Sequence, residues 1–486
     1  MSGQTMAVRK RRIALAVIAA AQFMVIMDTS IIGVALPEMQ RDLGFAAQDL
    51  SWVFNAYVVA FGGLLLLGGR LSDLFGARRM FATGWTVLGA GSLLAGLAGN
   101  VAVELTGRAV QGAGAALIAP AALTLLITIF GHDPREMTKA LALYGAAAPA
   151  GGTAGVFLGG VITEYLSWPW VFFINLPLVI AVLMVTPKVM PAGASRRGNL
   201  DVAGALTVTL GLGAVVFAVV RAPDSGWSAS TLAAGAVGLL LLAVFVVLQA
   251  QRRDPLMRLS IFRAPNLAAA NTAQLLLGAA WIPMFFFLNL YLQQVLGLGA
   301  FASGAALLPL TVTIMIGMIA IAPRLIAAFG PKAMTVAGLA TLAGGLLWLS
   351  FIRSEGSFVA DVLPASLLTA AGMAMAFIPS LGLALSAAAP EDGGLASGIV
   401  NTSYQIGSAL GLAAVAAVAA SQGSDRLGDL GALTDGFSAA FLVAAGIALV
   451  GAVLAVVTLR SAGRPAPAAE EDSAEAGVSA PASGGA

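Results

Sequence analysis

Apolar residues in this chain neither alternate nor follow a single helical stripe; they run in long blocks separated by short polar turns. About 20 apolar residues in a helix cross a bilayer, and a helix satisfies its own backbone hydrogen bonds there. Fourteen blocks reach that length: 13–36, 50–69, 80–99, 104–129, 138–163, 168–187, 200–221, 229–250, 267–292, 302–323, 333–352, 358–386, 395–420 and 437–459. Each predicts a spanning helix, so the chain reads as an all-α integral membrane protein. The last stretch, 461–486, is rich in Ala, Pro, Gly, Ser and Glu and has nothing to bury. It is expected to be a disordered tail.

Charge orients these helices, because basic residues collect in cytoplasmic loops. With residues 1–12 inside and the spans alternating, 20 of the 25 basic residues fall inside and four fall outside. The outside four are Arg41, Arg221, Arg353 and Arg426, while Arg108 lies within a span. Removing one span before the basic loop Arg252–Arg263 scrambles that split. Both termini are therefore expected in the cytoplasm. The cluster Arg9–Arg12 precedes an apolar block of 24 residues. A cleaved signal peptide has an apolar core of about 7–15 residues, so the block is expected to stay as the first span.

Composition narrows the function. The chain is 59% hydrophobic and 10% charged, against roughly 25% charged in soluble domains. Its mean hydropathy is +0.94 and its pI about 9.1. Nucleic acid is not the implied partner: the net charge is only +2, and the basic residues are those that orient the spans. Arginine outnumbers lysine 21 to 4 and alanine and glycine abound. Such codon usage points to a GC-rich bacterium, and hence to a bacterial plasma membrane. With no cysteine, disulfides and thiolate metal sites are excluded. The one histidine, His132, sits in a polar loop. No metal, cofactor or enzymatic nucleophile–base pair is expected. No Gly-x4-Gly-Lys-Ser/Thr loop occurs, so nothing in the chain binds ATP in that manner.

A repeat divides the chain. "GGRLSDLFGARRMF" follows the second span and "APRLIAAFGPKAMT" follows the tenth. Setting Leu71 on Leu325 also sets Phe75 on Phe329, Gly76 on Gly330 and Arg78 on Lys332. Two related six-helix halves, 13–187 and 263–460, would then flank a two-helix insert, 188–262. Secondary transporters are often built from such repeats, with the binding site between them near the midplane.

Two residues stand out within the spans. Asp28 is an acid near the middle of the first span, and Arg108 is the one base inside a span. An intramembrane charge costs about 3 kcal/mol on insertion scales and marks a functional site by default. Glu104, four residues before Arg108, offers it an i,i+4 partner. In the fifth span Gly151, Gly155 and Gly159 recur every fourth residue and allow a close helix contact.

Five stretches carry a family resemblance: "MDTSIIGVALP", "GGRLSDLFGARR", "LTGRAVQGAGAAL", "FFLNLYLQQVLG" and "GLASGIVNTSYQIGSALGLA". In this order the chain resembles the 14-span drug:proton antiporters of the major facilitator superfamily, over about residues 13–460. The resemblance implies the major facilitator fold, two six-helix halves plus two inserted helices. It implies proton coupling at Asp28 and Arg108, and a cytoplasmic gating loop of Gly69, Asp73, Gly76, Arg78 and Arg79. In the family Asp73 faces the N-terminal end of span 13. It also implies a gating and packing helix with Gly151, Gly155, Gly159 and Gly160, whose glycine face is expected against span 10 around Gly304–Gly317. The sequence departs from the family at Ala77, where arginine is usual, at Gly33, where asparagine is common, and at Val156, where the span-5 motif has proline.

Met24, Gln111, Trp281, Phe285, Phe286, Asn289, Asn401 and Gln405 are candidate cavity residues. With few polar groups in these spans, the expected cargo is a lipophilic small molecule, cations included, exchanged for protons. A carrier of one polar metabolite is the competing reading, and it would want more hydrogen-bonding groups. A monomer in the bilayer suffices for either.

Overall fold

The computed structural model describes residues 8–45, 52–192, 201–225, 228–252, 255, 259–388, 392–424, 426 and 428–460. The tail at 461–486 lies outside them. The described residues are helical almost throughout, in the order α1 (Val8–Leu43), α2 (Trp52–Phe75), α3 (Ala77–Gly96), α4 (Val101–Phe130), α5 (Pro134–Tyr165), the short α6 (Trp170–Phe173), α7 (Asn175–Val189), α8 (Val202–Ser225), α9 (Ala229–Gln251), α10 (Leu267–Leu290), α11 (Ala300–Ala306), α12 (Leu308–Ile316), α13 (Ala322–Leu349), α14 (Leu363–Ser386), α15 (Gly393–Ser421) and α16 (Leu430–Thr458). Single π turns extend or interrupt this order at Tyr291–Val295, Gly317–Ile321 and Phe358–Val362.

Local chemistry sets the helix ends. Asn100 caps α4 by accepting the Val103 amide at 3.0 Å, and Asp133 caps α5 with Pro134 in the first turn. The first helix runs past the expected 13–36 at both ends. The basic residues Arg9–Arg12 are good helix formers, and the helix stops where Gly44 takes a φ of 73°.

The two repeated turns share a backbone conformation. Gly76 has φ 89° and ψ 131°, and Gly330 has φ 82° and ψ 160°. A side chain is strongly disfavoured there, which explains why both turns keep glycine at the same place. Gly330 also breaks the long helical stretch Ala302–Leu349, whose 48 residues far exceed one crossing.

Among the described residues, eleven helical segments are long and apolar enough to cross a membrane. The chain is a multi-pass membrane protein. Its outer surface agrees: Leu239, Leu240, Val247 and Val457 are each more than half exposed. Inside, many buried positions are alanine or glycine, as expected where helices approach closely in lipid.

Packing links α1 to α5, α2 and α3 to α4, and α3 to α7. It also links α10 to α15 and α16, and α13 to α14 and α16. Between these groups α15 packs on α2 and α4, while α5 packs on α11, α12 and α14. Helices α8 and α9 pair with each other, and α8 leans on both α2 and α15.

The glycine face of α5 turns the other way from the expectation. A Cβ on Gly151 would lie 2.3 Å from the Phe23 carbonyl oxygen, and one on Gly155 2.8 Å from that of Met27. This face packs on α1, not on α12. Contact with the α11–α12 segment is made by residues on the opposite side: Thr153 bonds Thr311 at 2.5 Å, and Val156 faces Gly304. Gly159 is buried, and a Cβ on Gly160 would meet only open space. A period of four fixes a face but does not name its partner.

Candidate functional site

Asp28 and Arg108 meet inside the first group of helices. Arg108 Nη1 donates to Asp28 Oδ2 at 2.7 Å, and both side chains are fully buried. Asp28 Oδ1 accepts from Gln111 Nε2 at 3.0 Å and from Asn175 Nδ2 at 2.6 Å. Both oxygens act as acceptors, the pattern of an ionised carboxylate. Ser92 Oγ accepts in turn from Gln111 at 2.8 Å and Asn175 at 3.1 Å. Four helices thus contribute: α1 the acid, α3 Ser92, α4 Arg108 and Gln111, and α7 Asn175.

The guanidinium is held from several sides. Its Nε donates to the Val53 carbonyl at 2.9 Å, and Nη1 also donates to Gln111 Oε1 at 2.6 Å. The ring of Tyr57 lies 4.7 Å from its central carbon and that of Phe172 lies 6.0 Å away. Such faces attract a cation, most strongly where water is excluded. The i,i+4 partner suggested by spacing is not used: Glu104 accepts no hydrogen bond from Arg108 or from any other described group. Asp28 offers shared neutral donors as well as charge, and Arg108 turns across the bundle to reach it.

Ser92, Asn175 and Tyr57 were absent from the sequence candidates. For Asn175 a signal existed, since it is the one amide in the apolar run "FFINLPLVIAVLMV". Ser92 gives no such signal, because serine is common in membrane helices where it bonds its own backbone.

A cavity of about 210 Å³ lies beside this network, not around it. Gln22, Val25, Ile26 and Ser30 of α1 line it, with Phe61, Leu123, Tyr144 and Pro149. The opposite wall is Gln274, Trp281, Phe285, Met318, Met373, Phe377, Asn401, Tyr404 and Gln405. Of the expected cavity residues, Trp281, Phe285, Asn401 and Gln405 are present. Met24 and Gln111 are not: Met24 is 1% exposed within the core, and Gln111 belongs to the Asp28 network. Phe286 is 45% exposed on the outside, and the Asn289 side chain bonds Gln293 in an exposed contact. Adjacent residues on a helix differ by about 100°, so Phe285 and Phe286 face different surroundings. No charged side chain lines the cavity.

The gating-loop residues gather at one end of the molecule. Asp73 accepts the Gly394 amide at 2.9 Å and the Leu395 amide at 3.0 Å. These are the first amides of α15, left without partners by the helix itself and carrying its positive end. Gly69 makes the approach possible, since a Cβ there would sit 2.5 Å from the Gly394 carbonyl oxygen. Arg78 donates to the Met190 carbonyl at 3.3 Å, and Arg79 is exposed. Gly76 ends α2 with its positive φ. At the same end Arg11 pairs with Glu136 and lies over Phe130.

The Major Facilitator Superfamily model matches residues 18–412 and 324–484. The chain belongs to the major facilitator superfamily. It is 38% identical to the cephamycin export protein of Amycolatopsis lactamdurans over 94% of each chain. It is 36% identical to the puromycin resistance protein of Streptomyces alboniger, over 92% of this chain and 91% of that one. To the lincomycin resistance protein of Streptomyces lincolnensis the identity is 33%, over 96% and 95%. Among solved structures, the human organic anion transporter MFSD10 superposes with a TM-score of 0.68 at 15% identity, covering 92% of this chain and 99% of that one. The proton:xylose symporter XylE gives 0.67 at 14%, covering 93% and 96%. At these identities the likeness establishes the fold alone. As a superfamily member with antibiotic export and resistance proteins among its relatives, the chain is a membrane transporter and not an enzyme.

Proposed function

We propose that this transporter exports antibiotics or related lipophilic compounds across a bacterial plasma membrane in exchange for protons. The observation that carries the reading is the fully buried Asp28–Arg108 pair beside, but sealed from, an uncharged cavity. A proton taken up by Asp28 cancels one charge of the pair and leaves Arg108 to find another partner. The cost of that change couples protonation to a rearrangement of α1 and α4. Since α1 presents Asp28 on one side and Gln22, Ile26 and Ser30 on the other, the same helix feels both proton and cargo. The relatives' names, export of cephamycin and resistance to puromycin and lincomycin, support an antibiotic cargo.

The cavity wall is mostly apolar, with amide and hydroxyl groups from Gln22, Ser30, Tyr144, Gln274, Asn401, Tyr404 and Gln405. That lining favours a neutral amphipathic molecule over a cation. One proton moving across 100 mV yields about 2.3 kcal/mol, and each pH unit adds about 1.4 kcal/mol.

The architecture we propose has fourteen spans and both termini in the cytoplasm. Eleven segments are long and apolar enough; Ala302–Leu349 crosses twice about Gly330, and α3 and α8 each cross once. Six spans before α8 and six from α10 onward form two halves with the α8–α9 pair as insert. The shared conformation of Gly76 and Gly330 supports that division. The Asp73 contact with α15 then closes the cytoplasmic end between the halves.

The test is uptake of a candidate antibiotic into inside-out vesicles carrying an imposed pH gradient. Asp28→Asn keeps the shape but turns one acceptor oxygen into a donating amide and loses the titratable charge, and it should abolish uphill uptake. Normal uphill uptake with normal pH dependence in that variant would refute proton coupling at Asp28.

A further inference from the structure

One buried acid takes no part in the Asp28 network. Glu104 lies in the first turn of α4, one turn before Arg108. It is fully buried, and neither carboxyl oxygen meets a hydrogen-bond donor. Arg108 for its part leaves Nη2 buried and without an acceptor. Residues four apart share one helix face, with Cβ atoms roughly 6 Å apart. An orphan acid and an unused arm of a guanidinium therefore lie side by side. The helix dipole favours an acid in a first turn, but Asn100 already caps this helix. Nor does the dipole explain why Glu104 is sealed from water.

We propose that Glu104 is a second proton-carrying group of the transport cycle, and that Arg108 changes partner between Asp28 and Glu104. The proposal rests on the reading that Asp28 exchanges a proton. In this conformer Asp28 is the ionised partner, and Glu104 holds its proton as the neutral acid. When the proton moves, the Glu104 O–H bond breaks and an O–H bond forms on Asp28. The guanidinium stays positive, leaves Asp28 and pairs with the new Glu104 carboxylate through the arm that is now unused. One proton and one negative charge exchange places, so the buried site stays neutral overall. An uncompensated ion costing several kcal/mol is avoided at both ends of the step.

The surroundings suit a relay. The charges that face Glu104 are Arg108 on its own helix and Asp28 on α1. Helices α2, α3 and α7 carry charge only at the opposite end, in Arg70, Asp73, Arg78, Arg79 and Lys188. At the near end α1 adds Glu38, Arg41 and Asp42, the last held by Trp168 Nε1 at 2.9 Å. In the proposed topology Glu104 lies on the outer side of Asp28. It is thus placed to pass an external proton inward.

Infrared difference spectroscopy of the full-length protein in lipid tests this without a cargo. A buried protonated carboxyl gives a carbonyl stretch apart from that of solvated acids. The wild-type protein should show it at neutral pH, and Glu104→Gln should remove it. Asp28→Asn should also remove it, because Arg108 then turns to Glu104 and ionises it. A band that survives either substitution overturns the proposal. In vesicles, Glu104→Gln should lose pH-driven uptake and Glu104→Asp should recover part of it; a wild-type rate and pH profile in Glu104→Gln likewise overturns it. Should Glu104→Gln fail to insert, loss or survival of the band in Asp28→Asn decides. Normal uphill export by Asp28→Asn, with the Glu104 band present in wild type and lost in Glu104→Gln, would instead refute the Asp28 reading.

Discussion

At the scale of single residues, this molecule concentrates its polar chemistry in one dry knot. Asp28 collects three donors, and Arg108 holds three acceptors and two aromatic faces. Removing one member leaves the rest uncompensated. Arg108→Ala should cost about 3–5 kcal/mol, the range for breaking a buried pair by deleting one partner. Arg108→Lys keeps the charge but not the planar fork that spans Val53, Asp28 and Gln111. It should unfold at a temperature between Arg108→Ala and wild type. Thermal unfolding in detergent, followed by the Trp85 and Trp168 environment, measures both. Equal losses in the two variants would mean that geometry, not charge, holds the knot.

At the scale of helices, glycine decides who touches whom. The α5 glycines let α1 approach, and Gly69 lets α2 meet the first turn of α15. That second contact carries a specific prediction. Asp73 anchors two free amides of α15, and Asp73→Ala removes both hydrogen bonds and the charge facing the helix dipole. The group of helices that holds α2 and the group that holds α13 and α15 should then separate at this end. Spin labels at Phe75 and Phe329, which are 46% and 67% exposed, report it as a longer and broader distance distribution. An unchanged distribution would mean that other contacts hold this end closed.

At the scale of the whole molecule, the fourteen-span reading places every basic cluster on one side. Cysteines introduced at Ser2 and Ser473 should be shielded from an impermeant thiol reagent in intact cells. A cysteine at Glu355, exposed in the loop before α14, should be labelled. Labelling of Ser2→Cys or Ser473→Cys from outside would reverse the proposed topology. The α8–α9 pair adds a feature at this scale, because α8 packs on both α2 and α15 and so spans the seam between the two groups of helices.

The sequence by itself determined the helical membrane class, most of the long apolar helices and the two matched turns. Block length, loop charge and glycine spacing are local properties, and the bilayer reads them without knowing the fold. The same locality made Asp28 and Arg108 visible as costly residues in apolar runs. Only the tertiary structure decided their partners. It joined residues 80 positions apart at 2.7 Å, brought in Ser92 and Asn175, and left the nearer Glu104 unpaired. It also turned the α5 glycines toward α1 and moved Met24, Gln111, Phe286 and Asn289 off the cavity. Helical periodicity gives each residue a direction around its own axis, but the rotation of one helix against another is fixed only when all of them pack at once.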